Sequence, residues 1–437
     1  MALNDRTRIS LYKGQQEELS FPWISALICV LALLLAPFIS EYLFAITFVV
    51  QVYRLLRYDI RVCSMDMAFT IPFASFYRLP GGISYIVFYI LLFNFVFLIK
   101  RGRLYLGTGL LLFCASVLWT AVRSGSQWEL LFFIFCGLMY LYLLYFEFDN
   151  NDHRSVLWAF VIAVLLATIY ALAFPDNKVL LSMVRQNLEV DDGRFRGLYP
   201  DPNYYATFAV LAMVSLMCLD WYKHINRIVY YGSFAILIFA GVQTVSKSFI
   251  LMLLVILVYY GVNMFAQRKY FVGILLLIMI AFFTIWAIEG KIEWLDAVLQ
   301  RFENAEDMNE LTTGRTEIWK RYSDYIFADI GTMLFGEGLN APLVGSEGTH
   351  NIFLESVYYL GIIGLILLIS FTIAVIRQIK QKMETNSKAP FLRFLPILAI
   401  LLMYFFLQGI SSILFYLSLF IMYECYACCI SKRPEVA

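Results

Sequence analysis

The sequence predicts an all-α polytopic membrane protein with about 12–14 transmembrane helices and one large extracytoplasmic loop that carries short helices. Three observations predict it. Of 437 residues, 61% are hydrophobic and 15% charged, and the mean hydropathy is +0.75. A soluble domain cannot hide that much apolar surface. Apolar runs of about 18 residues recur along the whole chain, the length a helix needs to cross a bilayer. Basic residues also fall unevenly between the runs, as they do in chains oriented by a positive-inside bias. The net charge of +1 carries no footprint of a nucleic-acid partner.

The elements follow in order. The first 21 residues are polar and mixed in charge, and no small-residue cleavage site follows, so Phe21 to Ser40 reads as an uncleaved membrane helix. Fourteen candidate spans lie at approximately 22–39, 40–55, 64–78, 82–99, 104–122, 129–147, 156–174, 204–220, 228–245, 249–266, 270–288, 351–376, 394–409 and 411–429. A cytoplasmic N-terminus puts Arg54, Arg57 and Arg61, then Lys100, Arg101 and Arg103, Lys223 and Arg227, and Arg268 and Lys269 in inner loops. The stretch 377–393 and the C-terminal Lys432 and Arg433 join them, so 21 of the 33 basic residues are cytoplasmic. Two long polar segments, 175–203 and 289–350, are then external. The chain divides into N-terminal membrane helices (1–174), a central region with both outer loops (175–376) and C-terminal membrane helices (377–437). Of the eight cysteines none falls in an outer loop, which argues against a disulfide framework. Cys425, Cys428 and Cys429 read as apolar filler, because no histidine accompanies them.

Four polar motifs interrupt this pattern. The first outer segment ends in Arg194, Arg196 and an Asp201-Pro202-Asn203 run. Asp201 is expected to cap the next span with Pro202 at its first position. Guanidinium groups beside free helix amides suit a phosphate, or equally a lipid headgroup. Lys247 stands between Ser246 and Ser248 at the start of another span, as an anion donor or a snorkelling interface lysine. Arg315 precedes an amphipathic stripe of Ile318, Trp319, Tyr322, Tyr325 and Ile326, expected to lie along the outer membrane surface. Trp319 could stack on a sugar ring or anchor in the interface. Finally Thr349 is expected to cap the span holding His350 in its first turn, followed by Asn351 and Glu355. A carboxylate about one turn inside a membrane helix points to function. His153 and His224 fall in cytoplasmic loops, leaving His350 the one external histidine; a lone histidine makes no metal site. Three spans thus begin on one side, each with such a motif, and Arg315 adds to them.

Together these residues resemble the O-antigen polymerase and ligase superfamily. Arg194 to Asn203 and Ser246-Lys247-Ser248 resemble its first half. Gly314-Arg315 with Trp319, Gly336 and Gly338, and His350-Asn351 with Glu355, Gly361 and Gly364 resemble its second. The likeness spans 188 to about 368, and Lys247 stands where relatives carry arginine. It implies a catalytic region at 175–376 and a metal-independent, inverting glycosyltransferase in a bacterial plasma membrane, without cofactor. The implied donor is a polyprenyl-diphosphate-linked oligosaccharide, polymerised into a capsule, exopolysaccharide or O-antigen. A flippase and a chain-length regulator are implied as pathway partners. Carried over, Arg194 and Arg315 contact the diphosphate and His350 acts at the acceptor hydroxyl or beside the diphosphate. Arg196, Asp201, Asn203, Lys247, Trp319, Asn351 and Glu355 line the substrate. Glu355 could orient His350 or be the base itself. A ligase moving a finished glycan to another acceptor is the alternative within the family. A glycolipid transporter is the alternative of another class, although no internal repeat supports it.

Overall fold

The computed structural model describes residues 23–40, 42–58, 60–74, 150–174, 194–199, 201–222, 224–266, 314–339, 341–345, 347–382, 392–407, 409 and 412–430, with Tyr89, Leu92, Phe93, Val96 and Trp119 singly. The described secondary structure is helical, with no strand among the described residues. In chain order the α-helices are α1 (Trp23–Ile39), α2 (Leu43–Arg57), α3 (Ile60–Thr70), α4 (Asn150–Ala173), α5 (Pro202–Tyr222), α6 (Arg227–Gln243), α7 (Lys247–Ala266), α8 (Arg315–Ala328), α9 (Ile330–Phe335), α10 (Ile352–Lys382), α11 (Leu395–Phe405) and α12 (Ile413–Ile430). Short 3-10 turns follow α3 and precede α11. Among these, three stretches are long and apolar enough to cross a membrane: His153–Ala173, Pro202–Tyr222 and Ile352–Gln381. Five more apolar helices are shorter.

Two expected spans shift. The one read at 64–78 is α-helical from Ile60 to Thr70 and tightens into a 3-10 turn at Ile71–Phe73, where Pro72 stands, while 75–78 lie outside the described residues. The one read from 156 already starts at Asn150, because buried His153 belongs to the helix and not to a loop. The spans read at 82–99, 104–122, 129–147 and 270–288 lie essentially outside the described residues.

Helix α5 is the axis. It is apolar all round, and its faces are covered by α4, α6, α7, α11 and α12. Asp201 and Pro202 start it, as the cap pattern predicts; Asp220 lies near its far end and accepts from Arg227, at 3.2 Å, and from the Ile225 amide. Antiparallel packing shows in pairs at each end. Thr168, late in α4, bonds Tyr205, early in α5, at 2.8 Å. At the opposite end His153 Nδ1, early in α4, meets Glu424 Oε2, late in α12, at 2.7 Å, whereas α5 and α12 run parallel, their late Cys218 and Cys429 sulfurs meeting at 2.9 Å. Arg54 is 1% exposed and is paired with both Asp66 oxygens at 2.7 and 2.8 Å, while Ser25 Oγ accepts a further bond.

Helix α10 is broken at Gly361, whose backbone (φ 70°, ψ 175°) is not helical. In an unbroken helix the carbonyls of Tyr358, Tyr359 and Leu360 would face the amides of 362–364. Here they accept instead from Glu337 N at 2.8 Å, Gly338 N at 2.9 Å and Trp119 Nε1 at 2.7 Å. Two glycine backbones touch at the break. A Cβ on Gly336 would lie 2.5 Å from Gly361 N and Tyr359 O, and one on Gly361 would lie 2.2 Å from Leu334 O. The segment after α9 is therefore stitched to the middle of α10 by its backbone.

Candidate functional site

The site is assembled at the end of α5 that carries Asp201. Two features fold the 194–203 segment onto the α6–α7 turn. Phe195 N donates to Gln243 O at 3.0 Å, and Arg194 Nε donates to Thr244 O at 2.7 Å. Gly197 (φ 57°) lets the chain turn where a Cβ would strike the Tyr205 ring at 2.4 Å. Arg196 is half-buried and closes this turn through its carbonyl, which accepts from Tyr199 N at 3.1 Å. Asp201 Oδ1 then accepts from Asn203 N at 2.7 Å and from Asn203 Nδ2 at 2.9 Å. Both residues marked for substrate are thus also the lock on the first turn of α5.

The α6–α7 turn is strained. Val245 has φ 51°, a conformation costly for a β-branched residue. Such outliers persist where surrounding structure overrides them, and they cluster at functional sites. Here the turn presents the Thr244 carbonyl to Arg194 and starts α7 at half-buried Lys247.

Gly314 (φ 77°) starts α8, with Arg315 as its first residue. The Arg315 guanidinium carbon lies 5.9 Å from the centre of the Phe406 ring, a cation–π contact beyond the end of α11. One turn on, Trp319 Nε1 donates to Thr349 O at 2.9 Å, and its ring packs against Phe405 and Phe406. Trp319 therefore braces the loop that carries His350. Tyr322 does the same: its hydroxyl donates to Glu347 O at 3.1 Å and accepts from Val344 N at 3.2 Å. Ile318, Tyr322 and Ile326 form the buried stripe of α8, as their spacing predicts, whereas Tyr325 is exposed.

His350 differs from its expected place. The cap of α10 is Asn351, not Thr349: Asn351 Oδ1 accepts from the amides of Phe353 and Leu354, each at 3.0 Å. His350 precedes the cap with φ 45° and lies outside the first turn. The helix starts at Ile352, which puts Asn351 at the cap position, while the Thr349 hydroxyl donates to Asn351 O at 3.3 Å. Burial, then the nearby charge of Arg315, pull the His350 imidazole below the 6.5 of a free histidine, while Asp201 and Glu347 oppose them. The structure thus gathers Arg315, Asp201 and His350 from three separate motifs. Arg194 is bonded to the α6–α7 turn, just after which Lys247 starts α7.

Glu355 bonds the α11–α12 connection. It is 1% exposed, and its Oε2 accepts from the Gly409 amide at 2.5 Å. A Cβ on Gly409 would meet Ile352 Cδ1 at 2.7 Å, so glycine is what lets the α11–α12 connection approach. The carboxylates acting on His350 are Asp201 and Glu347. Sequence reading missed Glu347, Thr244, Phe406 and Gly409. Spacing carries no signal for them: Thr244 and Gly409 act through the backbone, Phe406 through its ring, and the Glu347 carboxylate reaches His350 only through the fold. Among the described residues, no group of three or more His, Cys, Asp or Glu is set to hold a metal.

Four helices (α5, α7, α8 and α10) begin in this region, and their N-terminal amides add positive potential to Arg194, Lys247 and Arg315. The arrangement suits an anion, beside an imidazole that is held uncharged near neutral pH. No family model, curated protein or solved structure matches the chain.

Proposed function

We propose that the chain is a membrane glycosyltransferase that joins polyprenyl-diphosphate-linked oligosaccharide repeat units into a surface polysaccharide, working at the extracytoplasmic face of a bacterial plasma membrane. The observation that carries this reading is the union of Arg315, Asp201 and His350 at one helix-rich end, next to Arg194 and Lys247. A diphosphate is a good leaving group once its charge is met, so positioning and fixed cations matter more than strong acid catalysis.

In the proposed step the acceptor hydroxyl oxygen attacks the anomeric carbon of the donor sugar. The new C–O bond forms as the bond from that carbon to the diphosphate oxygen breaks, with inversion. The hydroxyl proton passes to the uncharged His350 ring, and the electron pair leaves on the diphosphate. Arg315 and Arg194 meet that growing charge with planar, multi-donor guanidinium groups. Asp201 and Glu347 favour the imidazolium that results, which suits a base that must accept a proton and then release it. Glu355, held by Gly409, keeps the start of α10 in place.

Purified protein in lipid vesicles, given lipid-linked repeat units alone, should extend them into chains. Reaction only after a second kind of acceptor is added would make it a ligase; no transfer under either condition would reject the reading. Arg315→Lys should lose about 100- to 1000-fold in rate, the cost of one charge-stabilising contact. Full activity in both Arg315→Lys and Arg315→Ala would remove Arg315 from the site.

A further inference from the structure

We infer that the segment 327–338, containing α9 and its glycine turn, re-enters the membrane beside α10, and that its edge of Phe327, Ile330 and Phe335 is a contact surface for the acyl chains of the bilayer. This inference does not depend on the glycosyl-transfer reading.

Depth can be measured against α5. Its 21 residues rise about 31 Å, so the whole helix is needed to cross a hydrocarbon core of about 30 Å. Its first turn marks one boundary. Tyr204 in that turn bonds Ser412 and neighbours Glu355, and Glu355 bonds Gly409, so these groups share one level. Gly361 lies six residues further along α10, about 9 Å inside that level at 1.5 Å per residue. Along α10 no charged residue occurs in 356–376, and the one carboxylate the facing leg brings to this level, Glu337, accepts from Thr332 Oγ1 and Tyr325 OH.

At that depth the chain does what a lipid slab demands. The carbonyls freed by the break in α10 are paired with the Glu337 and Gly338 amides, which satisfies both sets without water. The chain then climbs back: Tyr358 OH donates to Pro342 O, Val344 N reaches Tyr322, and Asn351 caps α10 at the top. Two legs joined at the Gly336–Gly338 turn make a re-entrant hairpin.

Its polar groups are engaged within the hairpin. Asp329 accepts from Thr332 N and Oγ1 at 2.7 and 3.0 Å, and Thr332 Oγ1 also meets Glu337 Oε1 at 2.5 Å. The exposed carboxylate of Asp329 sets its corner at headgroup level, with Phe335 deeper. Phe327 is 68% exposed, Ile330 70% and Phe335 40%, large apolar side chains whose exposure water disfavours and acyl chains accept.

The test uses the full chain in phosphatidylcholine vesicles, with a nitroxide attached in turn at Phe327→Cys, Ile330→Cys and Phe335→Cys. Lys320→Cys, on the exposed polar side of α8, is the aqueous reference, and the parent protein sets the labelling background. All three edge labels should collide with dissolved oxygen several-fold more than with a water-soluble nickel chelate, relative to Lys320→Cys. The label at 335 should read deepest. A nickel-favouring ratio like that of Lys320→Cys overturns the inference, and so does a label reached by neither probe, since protein would then cover the edge. A benzophenone side chain at 327 is a conservative second variant: lipid adducts on illumination are expected, and adducts only to protein count against it.

Discussion

Replacing Gly336 by alanine should detach the re-entrant turn from α10. Gly336 has φ 72° and ψ 175°, a region essentially reserved for glycine that costs an L-residue about 1–2 kcal/mol. Its new Cβ would sit 2.5 Å from Gly361 N, Tyr359 C and Tyr359 O, all backbone atoms that cannot rotate away. The turn must therefore withdraw, breaking the bonds from Glu337 N and Gly338 N to Tyr358 O and Tyr359 O. Each such bond contributes about 1 kcal/mol net, and more where water cannot replace it. The sum is about 3–4 kcal/mol, so the population of the opened turn should rise by about 100-fold or more. Hydrogen–deuterium exchange reads this directly in the peptide that covers Glu337 and Gly338, because local opening governs exchange there. Gly361→Ala should act the same way, since its Cβ would lie 2.2 Å from Leu334 O. Gly232→Ala is the control: nothing lies within 4 Å of its Cβ, so exchange at 337–338 should not move. Exchange that rises less than about threefold in both Gly336→Ala and Gly361→Ala would refute the claim that this backbone contact holds the turn.

Two further outcomes are expected. Because burial and Arg315 hold His350 below 6.5, its ring is uncharged at pH 7 and takes up a proton only on the acid side. Glycan transfer should therefore be flat near neutrality and fall with one apparent pKa below 6.5. That acid limb should vanish in His350→Gln, and its survival in His350→Gln would take the titration away from His350. Arg54→Ala should cost about 3–5 kcal/mol, because it strands Asp66 beside α4, whereas Arg54→Met with Asp66→Leu should recover most of that loss. Thermal unfolding in detergent checks this, and a double variant no more stable than Arg54→Ala would contradict it.

The sequence alone determined the helical class, the apolar runs that became α1, α2, α5, α6, α7, α10, α11 and α12, and the polar residues worth attention. These are local properties. Hydropathy, an Asp-Pro-Asn start and a stripe of Ile318, Tyr322 and Ile326 are written in neighbouring residues, and the helix reads them within one or two turns. Tertiary structure decided the rest. Asn351 rather than Thr349 caps α10, and His350 is set in a left-handed conformation before it. Glu355 turns to Gly409 while Asp201 and Glu347 act on His350. His153, inside α4 and not in a loop, pairs with Glu424, 271 positions away. The break at Gly361 reads in sequence as one more glycine in an apolar run, because its consequence depends on Gly336 arriving from another segment. Most of these outcomes depend on a group brought from another segment: the Gly409 amide to Glu355, the Glu424 carboxylate to His153, the Gly336 backbone to Gly361. Backbone groups are chemically alike at every position, so no residue code announces which of them will meet. Packing selects the pair, and the cost of leaving a buried polar group unpaired then holds it there.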